Sequence, residues 1–295
     1  MKTILITGGT GLIGQVLTQK LTALGHRVKI LGRAENLQAS IPVYAWDIAR
    51  KQIDGRAFEE VEIIIHLAGA NISEGRWTEK RKREIIESRT QSTQMLYDYL
   101  STHTHCVKHI LCSSAIGIYG DRGDEWLSTD SAPGNGFLAE VCIKWEKALH
   151  LFDQLPVALT INRLGIVLSK NGGAFQPIQQ SIQGPFGAIL GSGKQYISWI
   201  EIHDLANLFL FQIDHAIAGT YHGVAGQLTF ASLIQKIQKA KFRYFGLLMP
   251  VPALILKWIL GEKSRIVLDS QRCALSLPKG FDCQLDIDTF IQNTV

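Results

Sequence analysis

Residues 5–15 read LITGGTGLIGQ: an apolar strand, a turn with glycines at Gly8, Gly11 and Gly14, and the start of a helix. That spacing suits one kind of chemistry. The first glycine permits a tight turn, the second lets the backbone approach a diphosphate, and the third lets helix and strand pack closely. Around Thr10, Leu12 and Ile13 the helix start offers unpaired N–H groups and a positive dipole end to phosphates. A strand before the glycines and an amphipathic helix after them distinguish a dinucleotide cradle from an ordinary glycine-rich turn.

About 20 residues further on, an acid would hold the adenosine ribose hydroxyls. The chain reads VKILGRAEN there, with Gly32 and Arg33 at the strand end. A guanidinium grips a 2′-phosphate through paired hydrogen bonds, where a carboxylate would repel it. NADP(H) is therefore expected over NAD(H); the alternative leaves Arg33 exposed and gives the ribose to Glu35. Asp47, closing AWD, either meets the adenine amino group or caps a turn. HLAGAN at 66–71 puts small residues, Gly69 among them, at a strand's carboxyl end, which leaves room for a ligand.

Other constellations fail on geometry. His103, His105, Cys106 and His109 crowd together in THTHCVKH, but a loop leading into a strand scatters them, so no metal site is expected. There is no GxSxG elbow and no HExxH. The basic run EKRKRE is flanked by acids and followed by apolar Ile85 and Ile86, as in a solvated helix face; no nucleic-acid partner is expected.

The elements that must position these residues follow a βαβ rhythm. Apolar runs occur at TILIT, RVKIL, VYAW, EIIIHLAG and VKHILCSSAIG. Helical stripes lie between several of them, including Leu12, Val16, Leu17, Leu21 and Leu24, closed by Gly25. Longer helices are expected from Trp77 to about Leu100 and from Phe137 to Phe152, the second preceding the strand VALTINRLGIVL. This is the pattern of an α/β fold: a Rossmann-type doubly wound parallel sheet with a smaller C-terminal α/β lobe. Residues 1–168 form the expected NADP(H)-binding domain and 169–295 the lobe, with segments exchanged between them. YHGVAG reads as a strand, and GPFGAILGSGKQ as a lid or a connecting loop.

At 295 residues and 46% hydrophobic content, the chain can bury a substantial core. A net charge of +4 fits a small anionic ligand. Five cysteines without CxxC point to a reducing cytoplasm, and a strand at the N-terminus leaves no room for a signal peptide. The apolar stretch 244–260 is shorter than a bilayer span and is broken by Pro250 and Pro252. It is expected to be a loop followed by a helix, with no membrane partner.

GGTGLIG, HLAGANI, SSAIGIYG and SWIEIHDLA, in that order, resemble the extended short-chain dehydrogenase/reductase superfamily. RW…KR…IIESRTQST, KWE, NRLGIVLSKNGGAF and GPFGAILGSGKQYISWIEIHDL narrow the resemblance to the atypical YfcH-like epimerase family, and PVPALILKWILGE resembles the start of its C-terminal domain. The resemblance covers nearly the whole chain, most loosely at YHGVAG. It implies NADP(H) contacts at Gly32, Arg33, Leu67, Ala68, Glu84 and Arg89, with the backbone around Val167 near the nicotinamide. Ordinary members of the superfamily use a Tyr with a Lys four residues later. None of the seven tyrosines here has that Lys, and counting back from Glu146 puts Leu138 and Cys142 at the two positions. Ser114 and Tyr119 are the candidate catalytic substitutes, although counting back from Gly120 puts Ala115 at the family's serine. Arg163, Gln195, Ser198 and His203 are candidates to line a substrate pocket, His203 also being placed to cap a helix.

Two readings follow. One is an NADP(H)-dependent reductase or sugar-nucleotide epimerase acting on a small molecule; the other is a module that binds or senses NADP(H) without turnover. Either would be a monomer or a homodimer.

Overall fold

The computed structural model describes residues 1–183, 186–242 and 247–295. Its centre is a sheet of eight strands. β1 (Thr3–Thr7), β2 (Arg27–Gly32), β3 (Val43–Asp47) and the short β4 (Gln52–Ile53) run outward to one side. β5 (Ile63–His66), β6 (His109–Ala115), β8 (Ala158–Leu164) and β14 (Gly219–Gly223) run outward to the other. All neighbouring pairs are parallel except β3 with β4. The direction of winding reverses between β1 and β5, and in such sheets the ligand crevice opens at that reversal, beyond the strands' carboxyl ends.

β1 and β5 are buried along their whole length, which is why their sequences carry no polar alternation. Leu5 and Ile64 face one layer, holding α2 (Glu79–Thr102) and α3 (Phe137–Leu149), and pack with Leu96, Leu100, Trp145 and Phe152. Ile4, Ile6, Ile63 and Ile65 face the opposite layer, holding α1 (Leu12–Ala23) and α5 (Ile202–Asp214), and meet Leu17, Leu21, Leu205 and Phe209. The doubly wound α/β fold thus follows from residue alternation on central strands sheathed on both sides. Segments after residue 168 supply both α5 and the edge strand β14.

The rest of the C-terminal half builds smaller sheets. β9 (Ile166–Ser169), β10 (Gly172–Gly173), β13 (Tyr196–Glu201) and β15 (Gly226–Thr229) form one. β11 (Ile182–Gln183), β12 (Phe186–Leu190) and β16 (Leu247–Val251) form another. β7 (Trp126–Leu127) and β17 (Arg272–Cys273) make a two-stranded ribbon. The short α4 (Phe175–Gln180), α6 (Phe230–Phe242) and α9 (Ile287–Thr294) cover the lobe core of Trp199, Phe230, Ile234 and Phe290. α7 (Ala253–Leu260) and the single-turn α8 (Arg265–Leu268) follow β16.

Several expectations need correction. Leu24 does not join the buried stripe of α1: it is the exposed C-cap residue, and Gly25 at φ +80° ends the helix just beyond it. α2 begins at Glu79, where Thr78 caps the backbone N–H of Arg81, and not at Trp77. α3 gives way at His150 to a 3₁₀ turn ending at Gln154. The expected loop before Pro252 is instead strand β16, pairing with β12 from GPFGAIL. Gly184, Pro185 and the stretch 243–246, which includes Tyr244, lie outside the described residues.

Candidate functional site

At the mouth of the β1–β5 reversal, Gly8 has φ +69°, and a Cβ there would stand 3.0 Å from the Leu67 carbonyl group. Only glycine lets the two strand ends come this close. A Cβ on Gly14 would stand 2.6 Å from the Gly9 Cα and closer still to the Gly8 oxygen. Gly11 is the N-cap of α1, with no side-chain cap and no acid in the first turn. The first amides of α1 therefore have no internal anion to satisfy them, the condition for an anion site at a helix start. Exposed Thr10 turns its carbonyl to the Gln15 side chain, which donates to it over 2.9 Å.

The opposite wall is the 67–70 backbone. The amides of Leu67 and Ala68 both donate to Thr7 Oγ1, each over 3.1 Å. Thr7 Oγ1 lies 2.7 Å from His66 Nδ1, and His66 Nε2 lies 3.0 Å from Thr93 Oγ1. Because the Thr93 hydroxyl donates to the Arg89 carbonyl, it accepts from Nε2–H; Nδ1 then accepts from Thr7. The chain of bonds fixes His66 as the neutral Nε2–H tautomer, and burial pushes its pKa down to about 3. Ser88 Oγ accepts from the Ala70 amide and Arg89 donates to the Ala70 carbonyl, so the wall is pinned at every residue but Gly69. A Cβ on Gly69 would press on the Arg89 guanidinium at 3.0 Å.

Arg89 has no carboxylate partner among the described residues. It donates to the Ile85 and Ala70 carbonyls and lies over the Trp145 ring, and burial draws its pKa down. Glu84 pairs instead with Arg81, at 2.7 Å. Val167 lies on β9 against the α1–α5 core.

At the end of β2, Arg33 is exposed and makes no ion pair or hydrogen bond among the described residues. Glu35, the acid that could have taken a ribose, is held at 2.5 Å by Arg56, which also grips Asp54. Gly32 packs beside Val43, where a Cβ would be 2.8 Å from a Val43 methyl group. Asp47 accepts from the Arg50 amide, so it caps its turn.

Beyond β6, a second set of side chains forms a closed network. Ser114, Arg163 and His222 occupy one row across β6, β8 and β14. Ser114 donates to Glu146 Oε1 at 2.6 Å; Arg163 grips both oxygens of Glu146 at 2.9 and 2.8 Å and donates to Tyr119 Oη at 2.8 Å. Tyr119 Oη lies 2.7 Å from His222 Nε2, while His222 Nδ1 donates to the Ala274 carbonyl. Burial raises the Tyr119 pKa to about 12 against the opposing pull of Arg163, and burial lowers that of His222. Burial alone would lower Arg163, but Glu146 outweighs it and raises its pKa. Ser114's only proton is thus directed at a carboxylate, and Tyr119 is fully buried. Leu138 and Cys142 back the turn at Gly117, and burial raises the Cys142 thiol to about 12.

Glu146 of KWE and His222 of YHGVAG have no role that the sequence alone reveals. Their signal is cross-strand register, which one sequence does not display. Of the expected pocket residues, only Arg163 joins this network. Gln195 donates to the Leu190 and Val267 carbonyls, and Ser198 bridges Gln271 and Cys273, so both stitch the lobe. His203 is exposed and does not cap α5: Glu201, immediately before the helix and two residues ahead of His203, accepts from the His203 and Asp204 amides with its carboxylate. The histidine-rich loop disperses: His103 stacks on Tyr99, while His109 turns inward to Thr160.

A model of the NAD dependent epimerase/dehydratase family matches residues 4–139. An epimerase family protein of Staphylococcus aureus (strain MRSA252) is 30% identical over 273 residues, spanning 92% of this chain and 91% of its own. The crystal structure of the human epimerase family protein SDR39U1 (isoform 2) with NADPH is 26% identical, with a TM-score of 0.82 over 99% of this chain and 98% of that one. The Bifidobacterium longum UDP-glucose 4-epimerase, in complex with NAD+ and UDP, shares the fold at 17% identity and a TM-score of 0.74, over 99% of this chain and 97% of its own.

Proposed function

Since this chain belongs to the epimerase family of NAD-dependent epimerases and dehydratases, we propose that it binds NADP(H) at the mouth of its first crossover. The observation that carries this reading is the charge arrangement after β2: among the described residues Arg33 has no counter-ion, while Glu35 is bound to Arg56. A 2′-phosphate would supply that anion, and Glu35, the nearby acid that could favour a bare ribose, is already paired. The cradle fits the rest of the cofactor. Gly8, Gly11 and Gly14 clear space for the diphosphate, with the amides around Leu12 and Ile13 as donors; Thr10 flanks them. Leu67, Ala68 and Gly69 would form the wall on the nicotinamide side, with Arg89 packed against it, and the family resemblance adds Glu84 and Val167 as contacts. Asp47, at the end of β3, is the candidate contact for the adenine amino group. When bound, the nicotinamide supplies or takes a hydride.

The accompanying proton is the distinguishing matter. Leu138 and Cys142 cannot act as a Tyr–Lys dyad, since one has no proton to move and the other is a buried thiol that stays protonated at neutral pH. Ser114 donates to Glu146, and the Tyr119 hydroxyl is enclosed by Arg163, His222 and the Ser128 carbonyl, to which it donates. That commitment favours a second reading, a protein that holds or senses NADP(H) without rapid turnover, over a reductase or sugar-nucleotide epimerase working through Ser114 and Tyr119. All five cysteines are free, which supports a reducing, cytoplasmic setting.

The test follows NADPH fluorescence on titration with purified protein, then its oxidation with a panel of carbonyls and nucleotide sugars. Saturable NADPH binding is expected, stronger than NADH binding. Absence of saturable binding refutes the reading. Rapid oxidation that persists in the Ser114→Ala/Tyr119→Phe double variant would remove both residues from the chemistry and restore an enzyme with a different proton source.

A further inference from the structure

The sheet β11–β12–β16 is covered on one face only. Gly187 and Leu248 look towards α6, where a Cβ on Gly187 would meet Ile234 at 2.7 Å. On the other face Phe186 is paired with Leu247, and Met249 follows two residues on; all three are exposed, Leu247 by 64%. The next element, α7, buries Leu256 alone. Leu254 is 78% and Trp258 86% exposed, and Ile255 and Ile259 lie beside them at helical spacing. More than half of the large apolar side chains exposed among the described residues lie in these three elements. A helix apolar all round is ordinarily buried, and a folded monomer rarely leaves so large a patch bare.

We propose that the bare face of β12–β16 together with α7 docks on an anionic lipid bilayer. Charge selects this occupant. α7 and the turn after it carry Lys257, Lys263 and Arg265 against Glu262, and that acid is paired with Lys82. Lys257 has no carboxylate partner among the described residues, and Lys263 donates to the Ser73 and Gly75 carbonyls without one. Two copies of a face with this positive excess would repel one another, whereas anionic headgroups attract it. Side-chain chemistry argues against a protein partner. Protein interfaces carry about one hydrogen bond per 100–200 Å², yet between Leu247 and Leu260 the only side-chain donors are Trp258 and Lys257. An exposed Trp among aliphatic residues with lysines at the margin suits the headgroup boundary. No helix among the described residues is long and apolar enough to cross a membrane, and α7 spans only about 12 Å. The element lies on the bilayer or dips into it.

The test is co-sedimentation of the full chain with vesicles of phosphatidylcholine alone or mixed with phosphatidylglycerol. Pelleting is expected with the mixed vesicles, weakening as salt rises. Substituting Leu254→Ser and Trp258→Ser together should lower partitioning by at least ~10-fold, with the circular dichroism spectrum and NADPH binding unchanged. Three results would overturn the proposal: no pelleting with mixed vesicles, equal pelleting with neutral ones, or undiminished pelleting of the double variant. So would a doubled mass in solution that the double variant abolishes, because the face would then join two copies of the chain. The outcome is independent of whether NADP(H) binds.

Discussion

Substituting Gly14→Ala tests the cradle by geometry. The new methyl carbon would start 2.6 Å from the Gly9 Cα, whereas carbon atoms settle at about 3.5–4.0 Å. Neither neighbour is a flexible side chain, so α1 must retreat from the turn by about 1 Å. An amide moved that far from a diphosphate oxygen loses its hydrogen bond, worth about 2 kcal/mol to a charged acceptor, or roughly 30-fold in affinity. Overpacking adds about 1–3 kcal/mol of destabilisation. The control is Gly25→Ala. Gly25, unlike the helical Gly14, has positive φ, but nothing lies within 4 Å of its Cβ position, so the cost is backbone strain of about 1 kcal/mol with no change at the turn. Fluorescence titration with NADPH and a thermal melt on both variants separate the effects. If Gly14→Ala stayed folded and bound NADPH as tightly as wild type, the turn would not be the phosphate site.

Two further outcomes are expected. Glu146→Gln leaves the Arg163 guanidinium largely buried without its carboxylate, a loss of about 3–5 kcal/mol readable in urea unfolding; an unchanged midpoint would show that the network carries no stability. His66 is held neutral, its pKa pushed down to about 3 from 6.5, so the unfolded chain takes up its proton first as pH falls. Its contribution is intact above pH 6.5 and shrinks towards pH 3 by about 1 kcal/mol per unit. Urea midpoints at pH 6.5 and about two units lower should therefore fall more steeply for wild type than for His66→Gln; parallel losses would contradict the assignment.

The parts of this molecule legible in its sequence are those set by local rules. Gly8, Gly11 and Gly14 announce the turn because backbone freedom and close packing are needed within seven residues. IIIH announces a doubly covered strand because both its faces are apolar. The strand order across β14–β8–β6 was not legible, since periodicity along a chain says nothing about which strand lies beside which. For that reason Ser114, Arg163 and His222 could not be aligned, and Glu146 had no apparent partner. Pro250 obscured β16, where an edge strand tolerates a residue without an N–H. Spacing alone does not tell His203 from the residue that does cap α5, Glu201 at the end of β13, whose carboxylate takes the His203 and Asp204 amides.

The most direct test of the central claim is calorimetric titration of wild type and Arg33→Asp with NADPH and NADH. Wild type should favour NADPH, and the variant should lose that preference by about 10- to 100-fold, the worth of a charged hydrogen bond, while keeping or gaining affinity for NADH. Equal affinity of wild type for the two cofactors, or an unchanged preference in Arg33→Asp, would contradict the account.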